Sequence, residues 1–263
     1  GAVRDLIVGN KPKDFDIVTD ATPSKIKRVF RNSRIIGRRF RLVHVVFGNK
    51  IFEVSTFRSN AEGSVGNEFG TIEQDVLRRD FTINALYYDP LQEHVIDYVG
   101  GMKDIKKHIL RPVISIDTIF VEDPVRMLRA IKYSATTHAK MSYQLRRKIR
   151  NSADLLSQVS PSRLTEELLK ILNSSFAYEI VREALETDLY IYLQPSATAL
   201  IYEDKNFEKK YLESIKQLGE LNKEASDVRL GKKLQFIIQD FIGTLTDWNM
   251  EIQTKTSANE LFA

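Results

Sequence analysis

Two aspartates separated by one residue, Asp14 and Asp16 in the run KDFDIVT over 13–19, are the sharpest chemical feature of this 263-residue chain. Alternate residues of a strand share a face. The spacing therefore predicts both carboxylates on one side, with Phe15 and Ile17 turned into the core. Carboxylates held this close repel one another unless a cation sits between them. Mg²⁺ suits such a place, because it prefers oxygen ligands and shares its shell with substrate phosphates. Glu53 offers a third acid: in KIFEVSTF it alternates against Phe52 and Val54 on an otherwise apolar run. Three carboxylates on neighbouring strands fit two-metal phosphoryl transfer. A plain surface Asp-x-Asp pair and a water-facing glutamate would give the same letters.

Further candidates are basic. Gly1 lets a phosphate approach the backbone, and Arg4 supplies a guanidinium three positions later. Along Glu122 to Lys132, expected to be one helix, Asp123, Arg126, Arg129 and Lys132 recur every third residue and drift slowly around one face. A carboxylate accepts from an exocyclic amine while a guanidinium donates to ring nitrogens or a carbonyl, so Asp123 and Arg126 could read the edge of a base. Asp123, lying before Pro124, also fits a simple helix start.

These side chains need a frame. The runs Phe40 to Phe47 and Lys50 to Phe57 are β-branched and aromatic, parted by Gly48-Asn49, a hairpin signal. Thr22-Pro23 ahead of SKIKRVF predicts a capped helix with Ile26, Val29 and Phe30 at helical spacing. Ser59 to Gly70 reads as a loop. From about Glu122 onward the apolar period is helical, with a second start at Ser160-Pro161. The expected fold is α+β: an α/β head followed by an all-helical neck and body. His44, on an apolar strand, is expected to be a packed histidine, and Tyr190, Tyr192, Phe241 and Trp248 are expected in the core.

Composition narrows the classes. The chain has no cysteine and four histidines, which removes disulfides and thiolate sites and makes a zinc centre improbable. No apolar run approaches a membrane span, and no signal peptide is evident, so a cytoplasmic location is expected. The net charge of +4 conceals an asymmetry: residues 1–177 hold 29 basic and 20 acidic side chains, residues 178–263 hold 10 and 15. Ser24 to Lys50 carries nine Lys or Arg and no acid, and Arg126 to Arg150 carries eight and no acid. Such stretches suggest a partner bearing phosphates.

Taken in order, Gly1-Ala2-Val3-Arg4-Asp5, Gly9, Asp14-Phe15-Asp16, Arg78-Arg79-Asp80-Phe81-Thr82-Ile83-Asn84-Ala85 and Glu122-Asp123-Pro124-Val125-Arg126-Met127-Leu128-Arg129-Ala130 resemble the motifs of the class II tRNA nucleotidyltransferase and bacterial poly(A) polymerase family. The resemblance covers about residues 1–175. It implies a nucleotidyltransferase (polymerase beta-like) head over 1–110, a helical neck for base recognition and RNA binding over 111–177, and a helical body over 178–263. It also implies that Asp14 and Asp16 bind Mg²⁺, with Glu53 as the third catalytic acid. Gly1 and Arg4 match positions that contact the nucleoside triphosphate, Arg79 and Asn84 positions near sugar and phosphates, and Asp123 and Arg126 the base-reading pair. Arg129 joins this nucleotide-binding set. Lys132 stands where the family commonly has Arg and is left out, since Lys loses the bidentate geometry.

The segments IGRRFRLVHV over 36–45, FGTIE over 69–73 and ALYYD over 85–89 look more like the poly(A)-adding branch than the CCA-adding one. The expected activity is therefore addition of AMP from ATP to RNA 3′ ends. CCA addition to tRNA from CTP and ATP is the alternative, and a non-catalytic RNA-binding relative a more distant one. The family motif carries a strand and a second Gly ahead of the position of Gly1, which predicts that the chain extends upstream.

Overall fold

The computed structural model describes residues 1–12, 14–37, 42–59, 69–225 and 227–245. The chain folds as two compact units, the first Gly1–Ile149 and the second beginning at Arg150. This division falls inside the segment 111–177 that the sequence assigns to a neck.

The first unit opens with α1 (Ala2–Ile7), β1 (Asp16–Thr19) and α2 (Pro23–Val29), followed by β2 (Ser33–Ile36), β3 (Leu42–Phe47) and β4 (Lys50–Thr56). Thr22 caps α2 as expected, its side chain accepting from the Lys25 N–H, and Pro23 sits in the first turn. The four strands form one sheet in the order β1-β4-β3-β2. β3 and β4 are the hairpin announced by Gly48-Asn49, with Phe47 paired to Lys50. β4 and β1 run parallel, which demands a crossover rather than a tight turn.

One face of this sheet is apolar. Val43, Val45 and Val54 are buried there with Ile26 of α2, and Ala21 packs against them. Two expectations fail on that face. β1 starts only at Asp16, so Asp14 and Phe15 precede it, and Phe15 and Ile17 are exposed rather than buried. As an edge strand of four residues, β1 has a neighbour on one side only, and α2 lies over β2 and β3 at the other end of the sheet. Val29 is likewise exposed; only Ile26 of the predicted helical face is deeply buried.

The unit continues through α3 (Ile72–Leu77), a 3-10 turn at Thr82–Asn84, β5 (Tyr87–Asp89), β6 (His94–Ile96), α4 (Gly101–Lys107), β7 (Ile109–Leu110), α5 (Ile119–Glu122), α6 (Val125–Thr137) and β8 (Lys140–Met141), and ends within α7 (Tyr143–Asn151). Thr71 and Gln74 close a reciprocal capping box on α3. Val76, Ala85 and Tyr87 form a second core, against which Val18 of β1 packs from the sheet. The single helix expected from Glu122 is two: Glu122 ends α5, Asp123 is extended at φ −152°, and α6 begins at Val125. Pro124 explains the break, because a residue before proline is driven out of the helical region.

The second unit is helical: α8 (Pro161–Leu172), α9 (Ala177–Glu186), α10 (Pro195–Glu203), α11 (Lys205–Glu224) and α12 (Leu230–Leu245). Tyr190 is fully buried, its hydroxyl 2.7 Å from that of Tyr211, and Phe241 packs against Phe207 with ring centres 5.3 Å apart. Tyr190 is core, as expected, while Tyr192 and Phe241 are only half-buried; Trp248 lies outside the described residues, as do 60–68 of the predicted loop. Among the described residues, no helix is long and apolar enough to cross a membrane.

Candidate active site

The parallel pairing of β1 with β4 places Asp16 directly beside Glu53. Neighbouring strands lie about 4.8 Å apart, and partners in register face the same side, so the two carboxylates share the face opposite Val43 and Val54. Both are exposed. Asp14, also exposed, lies two residues before the strand. Among the described residues neither Asp14 nor Asp16 makes a hydrogen bond or ion pair. Glu53 is engaged: its Oε1 lies 3.3 Å from His44 Nε2 on β3. His44 is thus not packed in the apolar core but lies on the carboxylate face.

No group of three or more Asp, Glu or His side chains is gathered tightly enough among the described residues to hold a metal ion by itself. The donor chemistry nonetheless fits a hard divalent cation. The donors are carboxylate oxygens, neither Asp14 nor Asp16 is hydrogen-bonded or ion-paired among the described residues, and the exposed face leaves coordination positions for phosphates and water.

A second cluster lies around the segment 78–84. Asp80 is almost fully buried. Its Oδ1 accepts from the Phe81 N–H at 2.7 Å and from Asn84 Nδ2 at 3.0 Å, and its Oδ2 from Arg129 Nε at 2.6 Å. Asn84 in turn accepts from Arg4 Nη1, and Arg4 donates from Nη2 to Asp5 at 2.6 Å. The guanidinium carbons of Arg4 and Arg129 stand 5.0 and 5.4 Å from the centre of the Tyr133 ring, within cation–π range. Arg4, Asn84 and Arg129, matched separately from sequence, are therefore one network running from α1 through the 3-10 turn to α6. Burial pushes the Asp80 carboxyl up, but Arg129, Asn84 and the Phe81 N–H outweigh it and hold the group below its ordinary value.

Arg79 belongs to a separate cluster. Its Nη2 donates to Asp75 Oδ2 at 3.0 Å and its Nε to the Tyr87 hydroxyl at 3.2 Å, while that hydroxyl donates to Asp75 at 2.6 Å. Burial and the Asp75 carboxylate raise the Tyr87 hydroxyl above its usual value despite Arg79, so it stays a donor. Arg126 donates to Glu122 Oε2 at 2.9 Å and to the Arg78 carbonyl at 3.1 Å. Asp123 accepts from the Val125 N–H at 3.3 Å, so it does serve the start of α6. Gly1 caps α1 without a side chain. Sequence reasoning missed Asp80, Asp75 and Tyr133 as organisers; an Asp within an Arg-Arg-Asp run was the available signal.

Residues 1–111 match the model of the poly A polymerase head domain, and residues 140–201 that of the "Probable RNA and SrmB- binding site of polymerase A". The chain belongs to the poly(A) polymerase and tRNA nucleotidyltransferase family. Within this family it is 44% identical over 220 residues to poly(A) polymerase I of Escherichia coli O6:H1, covering 78% of this chain and 47% of that protein. It is 34% identical over 201 residues to the CCA-adding enzyme of Geobacillus thermodenitrificans, covering 73% and 49%. The structure of the Bacillus stearothermophilus CCA-adding enzyme in complex with CTP superposes with a TM-score of 0.69 at 30% identity, covering 83% of this chain and 51% of that one. The chain thus spans about half the length of these relatives. Its first unit has the α+β nucleotidyltransferase head of the family.

Proposed function

We propose that this protein adds AMP from ATP to an RNA 3′-hydroxyl without a template. In this reaction the bond from the 3′-oxygen to the α-phosphorus forms as the α–β phosphoanhydride breaks and pyrophosphate leaves. The observation that carries the proposal is the register of Asp16 with Glu53 on an open sheet face. Asp14 and Asp16 would hold the divalent cation, Mg²⁺, and Glu53 is the third acid beside them. When bound, the cation neutralises the phosphates and acidifies the 3′-hydroxyl.

The remaining roles fall to positioning and charge. Gly1 and Arg4 meet the triphosphate, Arg79 and Asn84 the sugar and phosphates, and Asp123 and Arg126 the edge of the base. Arg129 keeps this set in place through Asp80. The basic runs 24–50 and 126–150 supply the electrostatic attraction for RNA. The choice of adenylate is supported by the greater identity to poly(A) polymerase I, 44% against 34% for the CCA-adding relative.

The test offers the protein, with Mg²⁺, a labelled oligo(A) primer and a tRNA lacking its 3′ end, giving ATP or CTP separately. Long ladders on oligo(A) with ATP alone are expected. Two C residues and then one A, confined to the tRNA, would make it a CCA-adding enzyme, which the 34% identity to such an enzyme favours as the second possibility. No addition to either primer, with RNA still bound, would leave a non-catalytic RNA-binding relative.

A further inference from the structure

Across the sheet, one row of residues in register runs Asp16 on β1, Glu53 on β4, His44 on β3 and Arg34 on β2. Three of the four are the groups expected in a charged site. The fourth, His44, is an imidazole whose Nε2 lies 3.3 Å from Glu53 Oε1, with its side chain about one-quarter exposed against one-half for Glu53. Its sequence neighbours Val43 and Val45 point the other way into the core and are fully or almost fully buried, so the backbone of β3 fixes where the ring can stand.

A glutamate in the middle of a solvated face has three side-chain torsions to lose when it must present its oxygens in one orientation. A ring nitrogen 3.3 Å away on a rigid neighbouring strand restricts that freedom in advance. His44 Nε2 stands beside one oxygen of Glu53, Oε1, and the other oxygen has no contact with it. We infer that His44 is a positioning residue that sets the orientation of the Glu53 carboxylate for phosphoryl transfer. It touches neither nucleotide nor primer and acts only through Glu53. Partners that orient acidic groups at metal sites are worth roughly ten- to a hundredfold in metal affinity or activity.

The inference rests on Glu53 serving the reaction, and the experiment separates the two. Variants H44Q, H44M, E53A and the double variant H44M/E53A are compared by steady-state AMP incorporation and by binding of Mn²⁺, read as free ion by electron paramagnetic resonance, with thermal unfolding as a check on the fold. Gln places an N–H donor near the position of Nε2, while Met keeps the bulk and removes the donor. H44M is expected to lower kcat by roughly tenfold or more, leave the KM for ATP within about twofold, and weaken Mn²⁺ binding. H44Q should recover most of both, and H44M should add nothing in the E53A background. If E53A is impaired but H44M is not, or if H44Q falls as far as H44M, the role given to His44 is overturned. If E53A itself turns over and binds Mn²⁺ normally, the assignment of Glu53 fails first and takes this one with it.

Discussion

Asp80 and Arg129, 49 positions apart in sequence, meet with Oδ2 and Nε at 2.6 Å, the carboxylate almost fully buried and the guanidinium about 35% exposed. This pair fastens the 78–84 segment to α6, and each partner also touches a further nucleotide-site candidate or the Tyr133 ring. An Asp80→Asn substitution turns an acceptor into a donor against Arg129. Removing one partner of a buried pair costs several kcal/mol. The partial exposure of Arg129 places the expected loss nearer about 2–3 kcal/mol, measurable by urea unfolding. An Asp80→Asn protein as stable as the parent would mean the network contributes only orientation.

Acid should act through the same groups. Asp80 is held below 3.8 by Arg129 and Asn84 in spite of burial, and Asp75 is held below 3.8 by Tyr87 and Arg79 in spite of burial. A carboxylate whose pKa is lower folded than unfolded stabilises the fold fully above its unfolded value, and loses that contribution as pH falls through the folded one. Stability should therefore hold down to about pH 4 and drop steeply below it. Asp75→Asn and Asp80→Asn should each flatten that drop in a series of unfolding curves between pH 7 and pH 3.

Gly101 is a packing necessity. A Cβ there would stand 2.2 Å from the Thr82 carbonyl oxygen and 3.1 Å from Leu86 Cδ2. The turn it would displace carries Asn84. Gly101→Ala is expected to cost about 1–3 kcal/mol through overpacking and to raise the KM for ATP. An unchanged KM beside lost stability would detach Asn84 from nucleotide binding.

The exposed carboxylates predict the opposite signature. Asp16→Asn and Glu53→Gln remove charge from the solvated face of the sheet, where substitutions usually change stability by no more than about 0.5 kcal/mol. AMP incorporation should nevertheless fall by orders of magnitude, while RNA binding in a salt series stays within a few-fold. Loss of RNA binding together with activity would contradict the metal role.

Arg126 is held by Glu122 and the Arg78 carbonyl. Arg126→Ala should relax the preference for ATP over CTP by roughly tenfold or more, as expected when a hydrogen-bonding discriminator is lost. Competition between the two nucleotides at equal concentration measures it directly.

Much of the frame was legible because it is written locally. The Thr22 cap, the Gly48-Asn49 hairpin and the Glu53 alternation each depend on a handful of adjacent residues. Phe15 and Ile17 were misplaced because alternation says which residues share a face, not whether anything covers it; that depends on where α2 lies. The break at Asp123 was readable from Pro124 but masked by the helical period on both sides. Asp80 was hardest. Its ion-pair partner Arg129 lies 49 positions away and Arg4 reaches it only through Asn84, and no local pattern encodes contacts that long.

β1 carries Asp16 on four residues bonded to a single neighbour, with Ile17 uncovered. Openings of such a segment require far less free energy than global unfolding. A brief release of this one short strand would separate Asp16 from Glu53 without global unfolding, so the proposed reaction would be lost before the fold. Under mild stress, circular dichroism would report an intact protein well after turnover had begun to fail.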